Sequence, residues 1–74
     1  MILDTILAVI YELGKAGKTV TRIRAGSSTY YEIKAKAPSV HMKRTAEGGE
    51  TLYGHPFAID HKLQSDRYEI DVAP

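Results

Sequence analysis

"RIRAGSSTYYEIKAK", residues 22–36, is the stretch on which the reading of this chain turns. Four cations and two adjacent tyrosines surround a short glycine–serine turn. Read with a period of two, residues 29–36 place Tyr31, Ile33 and Ala35 on one face and Tyr30, Glu32, Lys34 and Lys36 on the other. Residues 19–25 alternate in the same way, with Thr21, Ile23 and Ala25 inward and Val20, Arg22 and Arg24 outward. Gly26-Ser27-Ser28 then closes a β-hairpin whose outer face carries the cations.

Upstream of this stretch the period is helical. At 100° per residue Ile2, Leu3, Ile6, Leu7, Val9, Ile10 and Leu13 fall on one arc, which predicts an amphipathic helix of roughly three turns. Asp4 is its expected N-cap. Gly14 or Gly17 is expected to end it in a left-handed conformation.

Downstream, Pro38 ends the second expected strand, and Val40 and Met42 mark a third over about 39–45. "EGGE" at 47–50 turns into a short strand at 51–53, which "GHP" at 54–56 interrupts, since Pro56 has no amide to donate. Phe57, Ile59 and His61 share the inner row of the next strand. After "QSD", Tyr68, Ile70 and Val72 alternate with Glu69 and Asp71, the cleanest period of two in the chain.

The expected architecture is a single small α+β domain over 1–74. An N-terminal amphipathic helix packs on a mostly antiparallel meander of about five strands. A helix about 16 Å long and about 10 Å wide covers only part of a sheet about 20 Å across. The sheet is therefore expected to curl strongly around the helix, or to bury its later strands against a second chain. Phe57, Ile59, Tyr68, Ile70 and Val72 form the expected interaction surface.

Composition narrows the function. The chain has 74 residues, 26% of them charged and 43% hydrophobic, and no cysteine, so neither disulfides nor a thiolate metal site can support so small a core. "MILDTILAVIYEL" lacks a basic leader and contains Asp4 and Glu12, which speaks against a signal peptide, and it is too short to span a bilayer. A cytoplasmic protein with no membrane partner is expected. Residues 1–44 hold eight Lys/Arg and three Asp/Glu (+5), whereas 45–74 hold two and six (−4). The asymmetry signals either a basic binding face or two parts of one sheet that neutralise each other.

Three motifs invite chemistry. "GKAGKT" at 14–19 lacks the first glycine of a phosphate loop, since position 12 is Glu12, and it leaves a helix instead of entering one. His55, Asp60 and His61 lie close together, but on one strand Asp60 and His61 point to opposite faces, so no metal site and no cofactor are expected. The basic hairpin face, with Arg22, Arg24, Tyr30, Lys34 and Lys36 and an extension to Lys43 and Arg44, suits single-stranded nucleic acid, where stacking and phosphate contacts cooperate. As a solvated face it would instead pair Glu32 across the ladder.

The functional expectation is a non-enzymatic protein–protein interaction module, self-associating or bound to another protein. Compact cysteine-free domains of this size are common among phage and mobile-element accessory proteins. The alternative is a nucleic-acid-binding protein that uses the basic hairpin face.

Overall fold

The computed structural model describes residues 2–38 and 41–73. Its elements run α1 (Ile2–Lys15), β1 (Thr19–Ala25), α2 (Ser27–Lys36), β2 (Met42–Arg44), β3 (Glu50–Leu52), β4 (His55–Ile59) and β5 (Tyr68–Ala73). The fold is α+β: five strands form one mixed sheet in the order β2-β3-β4-β1-β5. β1 is central, parallel to β4 and antiparallel to β5. The sheet is open and not strongly curled, so the expected antiparallel, curled meander is corrected on both points.

The correction begins at 27–36. This segment is a helix, not the second strand of a hairpin. Thr29 and Ile33 are buried and Tyr30 and Ala37 half-buried, a spacing of one, three and four that suits a helix, whereas Tyr31 and Ala35 are exposed. The expected inner row of Tyr31, Ile33 and Ala35 therefore shares only Ile33 with the observed core. With α2 beside it, α1 no longer covers the sheet alone, which removes the width mismatch that called for curling. Leu3, Ile6, Val20, Ile23, Ala25, Ile33, Leu52 and Phe57 form one core fed by both helices and by strands β1, β3 and β4.

The first turn of α2 is closed by a distant loop. Ser65 accepts from the Thr29 amide through its carbonyl at 3.0 Å and from the Ser28 amide through its hydroxyl at 3.0 Å. Two amides that a helix start leaves without intrahelical partners are thereby satisfied. Gly26 donates to the Arg67 carbonyl at 2.8 Å, and the chain runs so close that a Cβ on Gly26 would lie 2.0 Å from the Gln64 carbonyl oxygen.

Local deviations have local causes. α1 begins at Ile2, so Asp4 lies in its first turn, not at the N-cap, and still faces the positive end of the helix. Of the expected apolar arc, Leu3 and Ile6 are buried, whereas Leu7 and Val9 are exposed. Gly17, at φ 79°, ends the helix: Lys18 donates to the Leu13 carbonyl and Gly17 to the Gly14 carbonyl, both at 3.0 Å. In β1 the pairing with β5 skips Thr21, and this bulge reverses the phase, so that Val20, not Thr21, enters the core. Thr21 donates its hydroxyl to the Asp71 carbonyl at 3.1 Å.

β3 and β4 are joined by the two residues Tyr53 and Gly54, both at positive φ (52° and 82°), which matches the right-handed twist of a tight hairpin. Pro56 lies inside β4, opposite Thr51, before the β1–β4 ladder opens at Ile23 and Phe57, so its missing amide takes nothing from that ladder. β4 ends at Ile59. His61 is exposed in the following turn and is not in an inner row. Of the expected strand over 39–45, β2 accounts for Met42–Arg44, while Ser39 and Val40 lie outside the described residues.

Two glycines give opposite expected outcomes in urea denaturation. Gly26→Ala forces backbone to move away from Gln64 and should cost about 1–3 kcal/mol. Gly14→Ala meets nothing within 4 Å inside α1 and should stabilise by about 0.5–1 kcal/mol.

Candidate interaction surface

Arg22 and Arg24 point away from the core, on the sheet face opposite the helices. Arg24 donates from Nε to Asp71 Oδ2 at 2.8 Å, from Nη1 to Asp60 Oδ2 at 2.8 Å and from Nη2 to Glu69 Oε2 at 2.9 Å. Arg22 donates to Asp71 Oδ2 at 2.8 Å. One guanidinium thus joins β1, the turn after β4, and β5. The cause is register: Arg24 stands opposite Glu69 and Arg22 opposite Asp71 across an antiparallel ladder, and Ala25 receives the Asp60 amide at 2.7 Å. The hydrogen bonds from Arg24 and Arg22 pull the Asp71 pKa down to about 2. Asp60 is also lowered, first by the Lys62 amide and then by Arg24, and Arg24 itself is raised, chiefly by Asp71.

The other expected cations lie elsewhere. Tyr30 and Lys34 project from α2 toward Glu50 on β3: the Tyr30 hydroxyl donates to Glu50 Oε1, and Lys34 Nζ lies 3.1 Å from Oε2. Tyr30 also stacks on Phe57, with ring centroids 5.1 Å apart and planes 20° apart. Burial, then the bond to Glu50, raises the Tyr30 pKa; the Tyr30 hydroxyl, ahead of Lys34, lowers that of Glu50. Lys36 reaches Glu32 at 3.5 Å along α2. Lys43 and Arg44 are exposed on β2, at the far edge of the sheet. The seven residues therefore form no single face, and Tyr30 is a packing residue, not an exposed stacking platform. The +5 and −4 parts of the chain neutralise each other through Arg22–Asp71, Arg24–Asp60, Arg24–Glu69 and Lys34–Glu50.

Of the expected interaction residues, Phe57 is buried and Ile59, Tyr68 and Ile70 are half-buried, with Tyr68 and Ile70 packed against the core. Val72 is 38% exposed. Tyr68, Ile70 and Val72 all lie on β5, a feature that alternation alone could not reveal: β5 is an edge strand, paired among the described residues with β1 only. The two edges differ. β2 is three residues long and carries Lys43 and Arg44, the short, charged form that blocks further pairing. β5 is six residues long, about 20 Å of backbone, with neither lysine nor proline among Tyr68–Ala73.

Tyr68 and Glu69 also line an open cleft with Lys62, Leu63, Gln64 and Arg67, so the β5 edge continues into it. A second cleft, among His41, Lys43, Thr51, Tyr53 and Gly54, lies by the β2–β3 end. No group of three His, Cys, Asp or Glu side chains among the described residues is arranged to hold a metal ion, and none of the described helices is long and apolar enough to cross a membrane.

Because Asp71 and Asp60 titrate below their ordinary range when folded, their contribution to stability is complete above the unfolded carboxylate value and is lost as pH falls through the folded one. Unfolding midpoints should therefore fall between about pH 4 and pH 2. Arg24→Gln should lower the midpoint at pH 7 and flatten this acid limb, which thermal unfolding across that range will show.

No protein-family model matches the chain, and no curated protein or solved structure matches it significantly.

Proposed function

We propose that this chain is a non-enzymatic protein–protein interaction module that accepts an extended segment of a partner along the open edge of β5. The observation that supports this reading is the asymmetry of the two sheet edges: β2 is short and cationic, while β5 is twice as long, acidic, and free of lysine and proline. An added strand gains main-chain hydrogen bonds from the edge, and its alternate side chains meet the row of Tyr68, Ile70 and Val72. Val72 has the highest fractional exposure of the three and so offers a partner apolar surface to cover. Arg24 and Lys34 are held in ion pairs that join β1 to β5 and α2 to β3.

The nucleic-acid reading has less to support it. It needs Arg22, Arg24, Tyr30, Lys34 and Lys36 on one surface, and Arg24 is already shared among three carboxylates.

Val72→Lys places a charge on the edge and should leave the unfolding free energy within about 0.5 kcal/mol of wild type. Affinity capture with the full chain, wild type against Val72→Lys, is expected to lose its specific partner in the variant while both remain folded by circular dichroism. An unchanged set of captured proteins would sink the edge reading. Single-stranded oligonucleotide bound at physiological salt, and lost on joint replacement of Lys34, Lys43 and Arg44, would favour nucleic acid instead.

A further inference from the structure

Two rows of side chains run along β5, and any strand beside it must match them. Toward the helices the row is Tyr68, Ile70 and Val72; on the opposite face it is Glu69 and Asp71. On the inner side, β1 meets these rows with Ile23 opposite Ile70, Val20 opposite Val72, Arg24 opposite Glu69 and Arg22 opposite Asp71. β1 is thus a strand of apolar and basic residues in alternation, apart from its bulge at Thr21.

The outer neighbour would meet the same rows. The acidic row is not fully neutralised by β1: Asp60, Glu69 and Asp71 surround two guanidiniums, and the third cation, Lys62, acts on Asp60, at the end of the row away from Asp71. Glu69 is 57% exposed there. A second copy of β5 is a poor match. In antiparallel pairing that keeps the apolar rows together, the well-overlapped registers set Glu69 opposite Asp71, Glu69 opposite Glu69 or Asp71 opposite Asp71 of the other copy. Like charges directly opposite destabilise a strand pair. A strand that alternates apolar with basic residues buries the first row and neutralises the second.

We infer that the occupant of the β5 edge is an extended protein segment in which basic residues alternate with apolar ones, and that a second copy of this chain is disfavoured there by its own acidic row. This inference rests on the edge-strand reading of function. It adds the chemistry of the partner.

The probe is an acetylated, amidated heptapeptide alternating arginine with valine, titrated into the full isotope-labelled chain and followed by the backbone amide resonances. The comparison peptides are its glutamate–valine counterpart and a blocked isomer with all arginines before all valines. The arginine–valine peptide is expected to shift the amides of Tyr68–Ala73 and to bind at least tenfold more tightly than either comparison peptide. Glu69→Lys should erase that preference.

Equal binding of the alternating arginine and glutamate peptides at β5 would overturn the charge inference and leave the edge reading standing. Equal binding of the blocked isomer would reduce the effect to net charge and overturn it as well. Concentration-dependent shifts of the β5 amides in the chain alone would show self-pairing, which overturns the inference but not the edge. If no peptide perturbs Tyr68–Ala73, both fail together.

Discussion

The guanidinium of Arg24 ties together β1, the turn after β4, and β5. It binds Asp60 just beyond β4 and both Glu69 and Asp71 on β5, while its own strand fills the middle of the sheet. A surface ion pair contributes little by itself, because water competes for both partners. A planar donor that engages three carboxylates from two segments is different, since each contact fixes the geometry for the next. β5 touches the sheet along one side only, so its place depends on β1 and on this cluster. What leaves β5 with one unpaired edge is thus inseparable from what keeps it docked.

A second polar connection serves the other layer. Tyr30, Lys34 and Glu50 link α2 to β3 above the ring of Phe57. The tyrosine contributes twice, with its ring in an apolar stack and its hydroxyl on a carboxylate, which suits a half-buried site at the rim of a small core. Residues that looked like a binding face in the sequence are thereby consumed in assembling the fold.

The limits of legibility lie in the same stretch. α1, the span of β1, the β2–β3 turn and β5 are legible from their periods and terminators, such as Gly17 for α1. Residues 27–36 carry two periods at once. Tyr31, Ile33 and Ala35 satisfy a strand, while Thr29, Tyr30, Ile33 and Ala37 satisfy a helix, and only the packing against β4 and α1 decides between them. The helix start was also hidden, because its capping group is Ser65, 37 residues away from Ser28. The bulge at Thr21 is equally silent, since a threonine next to a valine reads as unbroken alternation. Placing β5 at an edge required strand order, and order depends on the parallel pairing of β1 with β4, for which a single sequence carries no marker. Of the candidate surface, Tyr68, Ile70 and Val72 are visible as an apolar row, but the edge position of their strand is not.

The central position of β1 has a consequence for how the chain acquires its structure. Its partners are residues 57–59 on one side and 68–73 on the other, so the strand at the middle of the finished sheet is among the first made and the last to be flanked. At about 5–20 residues per second, ribosomal synthesis leaves roughly 2–9 s between the appearance of Ala25 and that of Tyr68. Until β4 is made, Val20, Ile23 and Ala25 lie on a strand without a partner on either side, and until β5 follows they lie on one open along its β5 side. Closing it requires contacts distant in sequence, which slow folding relative to a meander of the same size. Arg22 and Arg24 give the waiting strand two charges that oppose its pairing with other nascent copies until the acidic segment emerges to neutralise them. The same arginines that later lock the sheet therefore act earlier as gatekeepers of solubility.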